Sequence, residues 1–143
     1  MASQSKQIHD RVVAVLSALP ELKEVTSGFV PTVSAVKKFP SIAIDFAVTR
    51  RKEGKFPSTT DCEEEIDIYL YNQQKSNQFE DILSDLCDKI DISLQRDTEL
   101  LSLCTSCFVM EIVSDGGILH PQGGRAMARL TLYVKYTDKL CDN

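Results

Sequence analysis

No stretch of apolar residues approaches the roughly 18 needed to cross a bilayer. The opening Met1-Ala2-Ser3-Gln4-Ser5-Lys6 lacks the apolar core of a signal peptide. The expectation is a protein that stays in the cytoplasm where it is made. Five cysteines, Cys62, Cys87, Cys104, Cys107 and Cys141, are an odd number at scattered spacings, which argues against a disulfide framework and for reduced thiols, most of them packed as small hydrophobes. Excess positive charge is also missing. The net charge is -5, and residues 61–100 alone carry 12 Asp/Glu against 3 Lys/Arg. An acidic chain is a poor candidate for nucleic-acid binding, which needs a basic surface to neutralise phosphates. Histidine is limited to His9 and His120, and no period suggests internal repeats.

What is present fits one ordinary domain: 143 residues, 43% hydrophobic and 26% charged, are outside the regime of disordered chains and enough for a single core. Ile8, Val12, Val15, Leu16 and Leu19 form a helical stripe, so a helix is expected over 6–19, with Ser5 as N-cap and Pro20 closing it. A short strand is expected near Val25 to Val30. Ser41 to Thr49 alternates, with Ile42, Ile44, Phe46 and Val48 on one face. Residues 50–60 are basic, contain Gly54 and Pro57, and read as a long mobile arm between two strands. Cys62 to Tyr71 places Ile66, Ile68 and Leu70 on one face and Glu63, Glu65, Asp67, Tyr69 and Tyr71 on the other.

After a polar turn, Phe79, Ile82, Leu83, Leu86, Ile90 and Leu94 trace a second helix, with Asn77 and Glu80 spaced as a capping box. A polar break follows. Two further strands are expected over Val109 to Ser114 and Ala126 to Thr137, joined by a Gly-rich mobile loop over 115–125. The pattern predicts a single α+β domain over 1–143, with its core over about 5–137 and a flexible tail over 138–143. Two helices should pack on a mostly antiparallel or mixed sheet of four to five strands in two layers.

Candidate chemistry is sparse. Cys104-Thr105-Ser106-Cys107 has a spacing that could close a disulfide or hold zinc, but zinc needs about four ligands and both histidines are far away in sequence. A redox pair normally opens a helix after a strand, whereas this one leads into a strand. Glu63, Glu64, Glu65 and Asp67 cannot converge on one ion because consecutive strand residues face opposite ways. They suit a solvated or lumen-facing edge. His120 has only Asp115 nearby as a possible orienter, so it reads as a plain loop histidine and not as a general base. The Gly pairs around it are flanked by strands and do not form a phosphate-binding loop. Arg50, Arg51, Lys52 and Lys55 suit either a solvated loop or an element reaching an acidic surface on a neighbouring copy.

The order of these pieces resembles the tail terminator proteins of long-tailed bacteriophages, the lambda-like tail-completion family. The resemblance lies in the helix Ile8 to Leu19, Phe39-Pro40-Ser41-Ile42-Ala43-Ile44, the arm Arg50 to Thr60 and the acidic strand Glu64 to Tyr71. It continues through the helix Phe79 to Leu94 into the strands ending Leu130-Thr131-Leu132-Tyr133-Val134-Lys135-Tyr136. It spans about residues 5–137. The resemblance implies a virion protein at the head-proximal end of the tail: a ring of six that binds the last ring of tube protein, stops its polymerisation and offers its other surface to a head-completion protein. DNA would pass through the lumen without specific binding, and an acidic lining would help it slide. No enzymatic activity, catalytic residue, metal, cofactor or membrane contact is implied. Candidate contacts with subunits or tube are Arg50, Arg51, Lys52, Lys55, Glu63, Glu65, Asp67, His120 and Arg125. The alternatives are another neck or tail-completion protein of the same fold, a small ligand-binding regulatory α+β domain, and an enzyme using Cys104 and Cys107.

Overall fold

The computed structural model describes residues 4–28, 38, 40–53, 59–73, 79–114 and 125–139. Within them the chain runs α1 (Gln4–Ser17), β1 (Glu24–Ser27), β2 (Ser41–Glu53), β3 (Thr59–Gln73), α2 (Phe79–Arg96), α3 (Thr98–Leu103), β4 (Ser106–Ser114) and β5 (Arg125–Lys139). The five strands make one mixed sheet in the order β1-β2-β3-β5-β4. β1 lies parallel to β2 and every other pair is antiparallel. The fold is α+β, as the alternating and helical patterns require.

Ile8, Val12 and Leu16 of α1 and Leu86, Cys87, Ile90 and Leu94 of α2 bury against one face of the sheet. The sheet contributes Ile42, Ile44, Ile66, Ile68, Leu70, Leu130, Leu132 and Val134. Removing this much apolar surface from water, at about 25 cal/mol per Å², holds the two layers together.

Several expectations are corrected. Helix α1 begins at Gln4, so Ser5 lies inside it and its hydroxyl bonds to Glu64 instead of capping the helix. The weak strand stops at Ser27 because Gly28 takes φ +94, although its N–H still reaches Ile44 O at 3.2 Å. Residues 50–53 and 59–60 are not an irregular arm. β2 and β3 stay paired as far as Glu53↔Thr60, leaving only 54–58 between them. Opposite charges facing each other across this ribbon, Arg50↔Glu63 and Lys52↔Asp61, let so polar a sequence remain a strand.

A bulge between Asp45 and Val48 sets Phe46 and Ala47 against Ile66, so Val48 falls opposite Glu65 and does not continue the Ile42–Ile44 row. Tyr71 keeps to the face opposite the Ile66–Ile68–Leu70 core, as its alternation requires, but is 1% exposed there. Its neighbours Ser41 and Ala43 are buried with it, and burial, aided by Tyr69, pushes its phenol up to about 12. β4 starts at Ser106, three residues early, and β5 reaches Lys139, into what reads as a flexible tail. Asn77, the loop over 115–124 and residues 140–143 lie outside the described residues.

The polar break holds a third helix. Asp97 caps α3, its Oδ2 accepting Leu100 N at 2.8 Å. The same carboxylate takes Arg11 Nε at 2.8 Å and Nη2 at 2.7 Å, while Arg11 Nη1 lies 2.9 Å from Glu99. The Arg11 hydrogen bond holds the Asp97 carboxyl below its usual range. Asp97→Ala is therefore expected to cost about 1–2 kcal/mol, from the lost cap and the bidentate pair together. Urea unfolding at neutral pH measures it, and no change would show that α3 does not depend on α1.

At the edge of the sheet, the side-chain amide of Gln95 lies along β4. With the amide oriented to satisfy both neighbours, Nε2 donates to Cys107 O at 2.9 Å and Oε1 accepts from Val109 N at 3.3 Å.

Candidate functional site

In an antiparallel sheet, residues directly opposite each other project from the same face. The register therefore lays out rows on the face away from the Ile66–Ile68 core. One row is Arg50, Glu63, Lys135 and Ser106; its neighbours are Lys52, Asp61 and Thr137 on one side and Glu65, Tyr133 and Phe108 on the other. Asp45, Asp67 and Thr131 follow. Charges of both signs are thus interleaved on the β2–β3–β5 ribbon.

The contacts within these rows are local. Arg50 Nη1 lies 3.4 Å from Glu65 Oε1, and Lys135 Nζ lies 3.8 Å from Glu63 Oε1. Thr137 donates to Asp61 at 3.1 Å and Thr131 to Asp67 at 2.9 Å. Phe108, 41% exposed, packs tilted against Tyr133 at 5.4 Å, and Lys135 Nζ sits 5.6 Å from that ring's centroid. A cleft of about 250 Å³ opens among Lys52, Asp61, Glu63, Lys135 and Tyr136. Exposed pairs of this kind contribute roughly 0–1 kcal/mol to folding.

Of the contact residues expected from sequence, Arg50, Lys52, Glu63 and Glu65 come together here. Asp67 is on the same face, one row beyond Glu65. Arg51 is registered opposite Cys62 and so lies on the other face, exposed. Arg125 opens β5 opposite Gln73, ten residues along β3 from Glu63, or roughly 33 Å at the rise of a strand. It does not join the group. Lys55 and His120 lie outside the described residues. Arg50 pairs with Glu65 of its own chain, so a contact between copies through these charges must exchange or extend an existing pair.

The sequence reading missed a second polar cluster, on the helix side. Glu64, 2% exposed, accepts from Ser5 Oγ at 2.6 Å, His9 Nε2 at 2.7 Å, Tyr136 OH at 2.9 Å and Thr49 Oγ1 at 3.3 Å. The His9 ring stacks on Phe46 at 3.9 Å and 17°. Burial raises the Glu64 pKa, but the bonds from His9, Ser5 and Tyr136 outweigh it and hold the carboxyl below its usual range. Burial, reinforced by the Glu64 carboxylate, pushes the Tyr136 phenol well up.

Ser5, His9 and Glu64 have the residue types of a hydrolytic triad without its geometry. Both contacts fall on the same imidazole nitrogen, and the Ser5 proton is directed at the carboxylate. A relay needs the hydroxyl on one ring nitrogen and the acid on the other. What the cluster does is fasten α1 to β2, β3 and β5. The signal for it was present in the chain: Glu64 shares the parity of Cys62, Ile66 and Ile68, and Ser5 and His9 flank Ile8 at i, i+4 spacing.

Of the described cysteines, Cys62, Cys87 and Cys107 are buried and Cys104 is partly exposed; all four are free thiols. Among the described residues no group of three or more His, Cys, Asp or Glu could hold a metal ion, and no helix is long and apolar enough to cross a membrane. Compared with known proteins, the chain matches no protein-family model and no curated protein.

Proposed function

We propose that this chain is a structural subunit that closes into a ring and caps the tail tube of a bacteriophage, ending tube growth and presenting a surface to the head or neck. The observation that carries this reading is the ribbon formed by β2 and β3. It bears Arg50, Lys52, Asp61, Glu63 and Glu65 on one face, in the place where the tail terminator resemblance puts an assembly arm. A contact between unlike patches of identical subunits closes into a ring when the rotation permits. The ribbon would supply one half of such a contact and an unlike patch of the neighbouring copy the other, the charges selecting register more than adding affinity. The element order, from the amphipathic first helix through the acidic central strand to the long last strand, supports the same reading.

The test reverses the ribbon's cations, Arg50→Glu with Lys52→Glu. Each reversal sets like charges opposite each other across β2 and β3, at a cost of up to about 1 kcal/mol each, and a thermal melt checks that the variant remains folded. They should abolish ring formation on tail tubes, so that tubes grow past their normal length. Native mass spectrometry of the mixture and tube lengths by electron microscopy measure both effects. If the wild-type chain stays a monomer with tubes and leaves their length unchanged, the proposal fails; if the wild type caps and the reversed variant caps equally well, the ribbon is not the contact.

A further inference from the structure

We propose that the unlike patch met by the ribbon of one subunit is the solvent face of α2 on the next copy. The inference rests on the capping reading and adds the partner surface to it. Leu86, Cys87, Ile90 and Leu94 of α2 are buried in the core, so the residues half a turn round the helix point to solvent. Asp85, Asp88, Ile92 and Arg96 are all exposed there. Their spacing of three, four and four sets them in one line along the helix: two acids, an apolar side chain, then a cation. Lys89, on the flank, is drawn aside to Glu21 at 3.0 Å.

The outer face of the sheet carries the inverse series. From Lys52 to the row of Arg50 and Lys135, then the row of Tyr133 and Phe108, then Asp67, the order is cation, cation, aromatic, acid. Glu63 and Glu65 share the face but lie lower: Arg50 and Lys135 are 60% and 49% exposed, against 28% for each of the acids they touch. A neighbour therefore meets the cations first. The lengths agree. Asp85 to Arg96 spans about 16 Å at the rise of a helix, and Asp61 to Asp67, across the same four rows on β3, about 20 Å at the rise of a strand. Laid along the strands, α2 sets Asp85 and Asp88 over the cations, Ile92 over Phe108 and Tyr133, and Arg96 over Asp67. The reverse direction would set Asp85 over Asp67, so the charges fix the polarity. Two of the three large apolar side chains exposed among the described residues, Ile92 and Phe108, cover each other in this contact. The ribbon and the solvent face of α2 belong to opposite layers of the domain, so the contact is between unlike surfaces, as a ring requires. A nucleic acid is the poorer occupant, because Asp45, Asp61 and Asp67 join Glu63 and Glu65 on the same face and repel phosphate.

The experiment puts the full chain on tail tubes as two variants, Arg50→Glu with Lys52→Glu on the ribbon and Asp85→Lys with Asp88→Lys on α2, each checked for folding by a thermal melt. Alone, each variant sets like charges face to face and should assemble at least about a hundredfold more weakly than wild type. Mixed, the ribbon and helix of each variant meet the opposite sign on the other. Native mass spectrometry should then find restored rings with equal numbers of the two, and electron microscopy should find tubes stopped at their normal length. If wild type caps while either variant alone caps equally well, or if the mixture stays unassembled, this inference is overturned and the capping reading stands. If wild type neither assembles on tubes nor alters their length, the capping reading falls and this contact with it.

Discussion

Glu64→Ala is expected to destabilise the protein by about 3–5 kcal/mol, the usual cost of removing one side of a buried, hydrogen-bonded charge cluster. The substitution leaves Ser5, Thr49, His9 and Tyr136 without their shared acceptor. Against a total of roughly 5–15 kcal/mol that is a large share, and it should lower the melting temperature by about 10 °C or more. The effect carries a pH signature. The Glu64 carboxyl is held below its ordinary range in the folded chain, so its charge contributes stability above the unfolded value. That contribution is lost as pH falls through the folded one. The gap between wild type and Glu64→Ala should be widest near neutrality and narrow in acid, as urea titrations at several pH values would show. A neutral-pH difference under about 1 kcal/mol would mean that α1 is held by its apolar stripe alone.

The second large effect belongs to Leu132→Ala. Leu132 is fully buried on β5, opposite Ile66 of β3 on one side and Val109 of β4 on the other. Truncation leaves a void between strands that the ladders hold in place, and costs of about 2–5 kcal/mol are typical. Leu101, 42% exposed on α3, provides the contrast. Leu101→Ala should stay within about 0.5 kcal/mol. Thermal unfolding of the pair checks both, and equal effects would place the core elsewhere.

The elements that could be read from the sequence were those whose side chains alone dictate a face. The Leu86–Ile90–Leu94 stripe of α2, the Ile66–Ile68–Leu70 alternation of β3 and the Leu130–Leu132–Val134 alternation of β5 each bury as their period requires. What escaped depended on partners distant in the chain. Arg50 to Glu53 look like a loop until Thr60 to Glu63 are set across from them. The bulge at Phe46 and Ala47 flips the parity of everything after it, which no local alternation can announce. α3 is six residues long and stands on a cap tied to Arg11, 86 positions away. Glu64 looked like one more surface acid among Glu63, Glu65 and Asp67, because the donors that make its burial tolerable lie on α1, β2 and β5.

The Gln95 amide on β4 bears on how such a protein survives at high local concentration. An outermost strand offers its vacant peptide groups to any extended chain that drifts past, the first step toward fibrous aggregates. One donor and one acceptor from a helix side chain imitate the pair an intruding strand would supply, and they do so at Cys107 and Val109 without lengthening the sheet. Stray lamination is blocked there by a decoy from within the same molecule.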